Sequence, residues 1–264
     1  MWRTSISRPA ASPDAPSPAE RRPIERILAR DRLIVLVSLL AVAGLSWLWL
    51  LRAPMRHATD VWTAAYLLPT FLMWALMMVA MMLPSAAPMI LLHARFARGA
   101  MPAGALASTA LFALAYLAIW LLFSLAAALA QGWLVASGPM SAMALAVGDR
   151  QLAGGMLVLA GLYQLTPLKR ACLDHCRSPL SVIMSEWREG PGGAFLMGLR
   201  HGAYCTGCCW ILMALLFVAG VMNLLWIAMI AVFVLVEKAA PQGQWVGRVA
   251  GLALIVAGAY MIAG

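Results

Sequence analysis

Charged residues are scarce in this chain, and acidic ones scarcer still. Of 264 residues only 11% are charged, and ten are Asp or Glu. A soluble domain carries about 25% charged residues, so an ordinary water-facing surface is excluded. Cysteine is limited to five residues, and there is no sizeable polar domain. That argues against a secreted disulfide scaffold. No G-x-x-x-x-G-K-[S/T] loop is present, nor a cytosolic domain to hold one, so pumping by ATP hydrolysis is not expected. The net charge is +9. Aromatics interleaved with basic residues are nevertheless missing from the N-terminal tail apart from Trp2, so nucleic acid is not expected as a partner. No catalytic residue stands out, and an enzyme is the less favoured class.

What is present in abundance is apolar sequence, 64% of the chain. Runs of roughly 20 apolar residues recur, long enough at 1.5 Å per residue to cross a hydrocarbon core of ~30 Å. Backbone in lipid must satisfy its own hydrogen bonds, and continuous runs without period-2 alternation argue against a barrel. The fold class expected is all-α, a polytopic transmembrane helical bundle of about seven spans. These are Leu33–Leu51, Tyr66–Leu92, Gly104–Ala130, Leu152–Leu168, Ala194–Val218, Leu224–Glu237 and Trp245–Ala263. Residues 1–32, rich in Arg, Pro, Ala and Ser, read as a disordered cytoplasmic tail, and residues 33–264 as the membrane domain. The first run is longer than a signal-peptide core and lacks a convincing cleavage site, so an uncleaved span is expected. With the N-terminus inside, fifteen Lys and Arg fall in cytoplasmic segments and three (Arg52, Arg56 and Arg150) outside. That bias sets a cytoplasmic N-terminus in the inner membrane.

Chemistry-bearing residues gather in three places. In the second span Met73, Met77 and Met81 share one helical face, flanked by Met78 and Met82. Thioether sulfur suits Cu(I), although methionine is also an adaptable packing residue. Pro84 and Pro88 are expected to kink or break this helix and expose carbonyls. In the fifth span His201, Cys205 and Cys208 fall at i, i+4 and i+7, with Cys209 on the neighbouring ridge. Imidazole and thiolate are ligands for a soft transition metal, while Gly198, Gly202 and Gly207 would admit a close helix neighbour. Arg200 in the same span is expensive in lipid without a partner.

The third place is the inside loop Lys169 to Gly193, with a possible interfacial helix at Ser181–Arg188. Cys172 and Cys176 are one helical turn apart, and Lys169, Arg170 and Arg177 should favour thiolate there. His175 reads as an exposed loop histidine, and His57 and His93 as interfacial ones. Glu237-Lys238 closes the sixth span. Lys238 is expected to snorkel, and Glu237 to face either water or Arg200 and His201.

The motifs Trp74-x-x-Met77-Met78-x-Ala80-Met81-Met82-x-Pro84, Cys172-Leu173-x-x-Cys176 and Cys205-x-Gly207-Cys208-Cys209-Trp210, with Glu237-Lys238, resemble a bacterial family of predicted metal-binding integral membrane proteins. The resemblance covers roughly residues 33–264 and implies a shared metal site. The function expected is binding of a soft metal ion, copper with zinc as the alternative, for handling or delivery. The candidate ligands are His201, Cys205, Cys208, Cys209, Cys172, Cys176, Met77, Met81 and Glu237. The partners expected are the lipid bilayer and a metallochaperone or metal-acceptor protein. Two other readings stand beside it: a membrane thiol–disulfide electron-transfer protein, and a non-catalytic accessory subunit.

Overall fold

The computed structural model describes residues 18–52, 61–141 and 145–264, with side chains from residue 33 onward. Its helices are α1 (Pro18–Arg52), α2 (Ala64–Ala100), α3 (Ala105–Ala136), α4 (Arg150–Leu165), α5 (Pro167–Arg177), α6 (Pro179–Glu186), α7 (Gly190–Ala214), α8 (Leu216–Ala219), α9 (Leu224–Ala239) and α10 (Gly243–Ala263). The described residues form no sheet, only an isolated bridge between Met140 and Val147. The all-helical expectation therefore holds.

Five helical segments are long and apolar enough to cross a membrane: Leu33–Arg52, Ala64–Ala100, Pro102–Ala136, Gly190–Ala219 and Gly243–Ala263. The expected fourth and sixth spans correspond to α4 and α9, each of 16 residues, or about 24 Å of helix. Large apolar side chains such as Leu45, Leu114, Leu122, Leu159, Val256 and Tyr260 lie exposed on the outer faces. A soluble protein avoids so continuous an apolar exterior, and a lipid-facing one requires it. Helix α1 starts at Pro18, inside the stretch read as a disordered tail. Residues 1–17 of that stretch, like His57, lie outside the described residues.

The bundle is laid down partly by neighbours in sequence, α1 on α2 and α2 on α3, and partly by distant ones, α3 on α7 and α4 on α10. Gly198 and Gly202 let α3 approach α7. A Cβ at Gly198 would meet Ala115 Cβ at 2.8 Å, and one at Gly202 would meet Ile119 at 2.9 Å. Helix α2 is pinned to α3 by Trp74 Nε1, which donates to Gln131 Oε1 at 2.8 Å in a buried setting. Of the kink or break expected at Pro84 and Pro88, the break does not occur. Helix α2 runs unbroken through Pro69, Pro84 and Pro88, because packing against its neighbours overrides the lost backbone bonds.

The segment read as an inside loop is largely helical. Thr166 ends α4 and caps α5, its Oγ1 accepting from Lys169 N at 3.2 Å with Pro167 at the first helical position. Helix α5 then lies against α7, which places Cys172 and Cys176 inside the bundle rather than at its edge.

Candidate metal centre

Helix α7 supplies three sulfurs. Cys205, Cys208 and Cys209 are all buried, and the last two thiols donate to the Cys205 carbonyl at 3.0 Å each. Helix α5 adds Cys176, partly buried and close enough to interact with the Cys205 and Cys208 thiols. Helix α2 adds Met82, with its Sδ 3.8 Å from Cys209 Sγ. Three buried thiols of α7, the partly buried Cys176 of α5 and the buried thioether of Met82 thus gather from three helices. All five cysteines are free thiols. Among the described residues, no three His, Cys, Asp or Glu side chains already surround a common point at ligating distance. Two of the thiols are turned back onto the helix carbonyl. Thiols are weak donors, so rotating them out gives up little.

Two further helices complete the surroundings. Tyr116 of α3 brings its hydroxyl 3.2 Å from Cys205 Sγ and donates to the Met82 carbonyl at 3.1 Å. Lys238 of α9 places Nζ 2.9 Å from Cys205 Sγ and 3.0 Å from Ser85 Oγ. The lysine expected to snorkel outward therefore turns inward. An ammonium at that distance is the counter-charge that a buried thiolate requires.

The remaining candidates sit around this group in different ways. Met77 and Met81 are fully buried core residues, but Met82, about 100° further round the helix from Met81, is the methionine that meets a cysteine. Cys172 directs its sulfur at Gly207, where a Cβ would come within 2.9 Å of it. His201 is buried, its ring 5.7 Å from Tyr116 and 6.2 Å from His175. His175 is half-buried and stacked on Tyr204 at 3.9 Å, so it is no exposed loop residue. His93, read as interfacial, is fully buried against Phe112 and Trp187.

Glu237 faces neither Arg200 nor His201. Both of its carboxylate oxygens accept from Lys169 Nζ, at 2.6 and 2.8 Å, in a buried ion pair, and Lys169 also donates to Gln164. Arg200 instead lies toward the surface, 3.5 Å from Glu186. Arg177 donates to the carbonyls of Glu237, Ala240 and Pro241, a cation closing the C-terminus of α9. Arg170 donates to the Leu165 carbonyl at 2.9 Å. With all three cations committed elsewhere, the thiolate-favouring field expected at Cys172 is absent. Burial pushes the Cys172 thiol above its ordinary range, with Cys208 adding to the effect. Burial also holds His175 below the ordinary histidine range, against an opposing pull from Glu186. Its imidazole is therefore neutral at pH 7.

Sequence reasoning passed over Met82, Tyr116, Ser85 and Lys238 as parts of the site. Met82 and Ser85 are three apart on α2 and could have been found as the ridge beside Met77 and Met81. Nothing local marked Tyr116.

The donor set suits a soft monovalent ion, since thiolate and thioether select Cu(I). No curated protein and no solved structure matches this chain. A family model, PpoB2, described as a copper chaperone, matches residues 71–261. That stretch holds Met77, Met81, Met82, all five cysteines, His201 and Glu237. The chain belongs to the PpoB2 copper chaperone family.

Proposed function

We propose that this chain is a multi-pass protein of the bacterial cytoplasmic membrane that holds Cu(I) as cargo and passes it to an acceptor protein. In this reading α4 and α9 cross the bilayer with the five longer helices, and the excess of Lys and Arg keeps the N-terminus inside. Cys205, Cys208 and Cys209 of α7, Cys176 of α5 and Met82 of α2 supply the ligands. The observation that supports the proposal is the gathering of these sulfurs from three helices in one neighbourhood of the bundle, with Met82 Sδ 3.8 Å from Cys209 Sγ.

The electrostatics support it. Cu(I) held by two thiolates carries one negative charge, and Lys238 beside Cys205 cancels it, leaving a neutral buried group. Zinc would favour four thiolate or imidazole ligands in a tetrahedron, and it gains little from a thioether. Cys172, packed at Gly207, receives the ion from the cytoplasmic side. Glu237 acts by fixing α9 through Lys169, which sets the position of Lys238. Met77 and Met81 back the α2 face.

Protein purified anaerobically after copper-replete expression should carry copper near one equivalent. The Cys205→Ser, Cys208→Ser double variant should lose the sulfur-ligated copper. Wild-type protein that contains zinc or no metal would rule out the copper assignment.

A further inference from the structure

Beside the sulfur centre lies a second donor pair. His175 of α5 and His201 of α7 have ring centroids 6.2 Å apart with planes inclined by 35°. Each carries a buried nitrogen without a hydrogen-bond partner, Nε2 of His175 and Nδ1 of His201. Buried imidazole nitrogens are normally paired, and an ionisable residue kept unpaired inside an apolar bundle points to a ligand. A metal ion sits about 2 Å from each ligating ring nitrogen, and the 6.2 Å between the ring centroids is compatible with one ion shared by the pair. The neighbours of the pair are aromatic. Tyr204 stacks on His175 at 3.9 Å, Phe112 and Tyr116 lie 6.0 and 5.7 Å from His201, and among the described residues no carboxylate is hydrogen-bonded to either ring.

We infer that His175 and His201 form a second, nitrogen-donor site for Cu(I), a way-station that loads the sulfur centre. The inference rests on the copper reading above and adds a step to it. His175 is next in sequence to Cys176, and His201 is one helical turn before Cys205 on the same face of α7. Tyr116 bridges the two sites, its ring against His201 and its hydroxyl 3.2 Å from Cys205 Sγ. Imidazole accepts copper but is a harder donor than thiolate, so the ion moves downhill from the histidines to the cysteines. The step is ligand exchange with no change of oxidation state. Two Cu–N bonds break and two Cu–S bonds form, the imidazoles return neutral, and protons leave any cysteine that entered as a thiol.

The test is anaerobic titration of the full-length protein with Cu(I), followed by X-ray absorption at each equivalent. In wild type the first equivalent should show sulfur ligation. The second should show nitrogen ligation with the outer-shell pattern of imidazole. His175→Gln should lose the second equivalent and keep the first, and the Cys205→Ser, Cys208→Ser variant should keep only the nitrogen-ligated ion. His93→Phe, which alters a histidine on the far side of Phe112, should retain both. Saturation of wild type at one sulfur-bound equivalent overturns the way-station and leaves the sulfur centre standing, whereas failure to bind any copper removes both. A second equivalent that survives in His175→Gln, or vanishes in His93→Phe, also overturns the assignment to this pair. Because wild type alone decides the stoichiometry, a variant that fails to fold does not shield the idea.

Discussion

The sulfur centre and the α4–α10 seam are built on opposite uses of space. At the centre five helices (α2, α3, α5, α7 and α9) bring reactive side chains together, and the sulfurs of Cys205, Cys208, Cys209 and Met82 each have a polar or sulfur neighbour within 4 Å. In the seam the helices meet by having no side chains. A Cβ at Gly161 would lie 2.6 Å from the Ile255 side chain and 2.9 Å from its backbone nitrogen, and one at Gly258 would lie 2.9 Å from Val158 N. Close backbone approach is how membrane helices associate when lipid removes the hydrophobic drive between them. The comparison separates what makes the bundle from what makes the chemistry. It predicts that the two regions fail in different ways.

The buried Lys169–Glu237 pair touches both regions, so breaking it has the largest expected effect. Glu237 fills the space over Gly247 of α10 and precedes Lys238 of the centre. Lys169→Met should destabilise the protein by roughly 3–5 kcal/mol, because it strands a buried carboxylate. Lys169→Met combined with Glu237→Leu should recover most of that, as read by thermal unfolding in detergent. A double variant as unstable as the single would show that the pair does more than neutralise itself.

Lys238→Met tests the centre alone. Removing the counter-charge should weaken Cu(I) binding about tenfold or more, which is ~1.4 kcal/mol, with little change in melting temperature. Competition against a Cu(I) chelator measures it, and Lys238→Arg should retain part of the affinity. Unchanged affinity in Lys238→Met would remove the charge-balance argument.

The seam should respond in the reverse sense. Gly161→Val should lower stability by about 1–3 kcal/mol through overpacking, while the copper content of the folded fraction stays at the wild-type level. Loss of copper in that variant would show that the two regions are coupled. The smallest effect is expected at Ser85→Ala, which removes one acceptor from Lys238. Copper affinity there should fall by less than about threefold, in line with one hydrogen bond of ~0.5 kcal/mol.

How far the site was legible depended on whether its members share a helix. Cys205 and Cys208 were found by spacing because i and i+3 lie on one face by helix geometry alone. The α2 methionines were found as a group, but the ridge that faces α7 is a matter of rotation, and rotation is set by packing. Lys238 and Glu237 show the same limit. Adjacent residues on a helix point about 100° apart, so one enters the sulfur centre and the other meets Lys169. Arg200, costly in principle, is placed where Glu186 and the surface receive it.

By itself the sequence determined the helical class, the position of each apolar segment and the kind of donor atoms available. These follow from hydrophobicity, periodicity and residue chemistry, which act over one helix or less. Only the tertiary structure decided that α5 folds against α7, that Met82 rather than Met81 reaches a cysteine, and that Lys238 turns toward Cys205. Those outcomes depend on how helices rotate and approach one another, and the glycine contacts that set the approach join residues far apart in the chain.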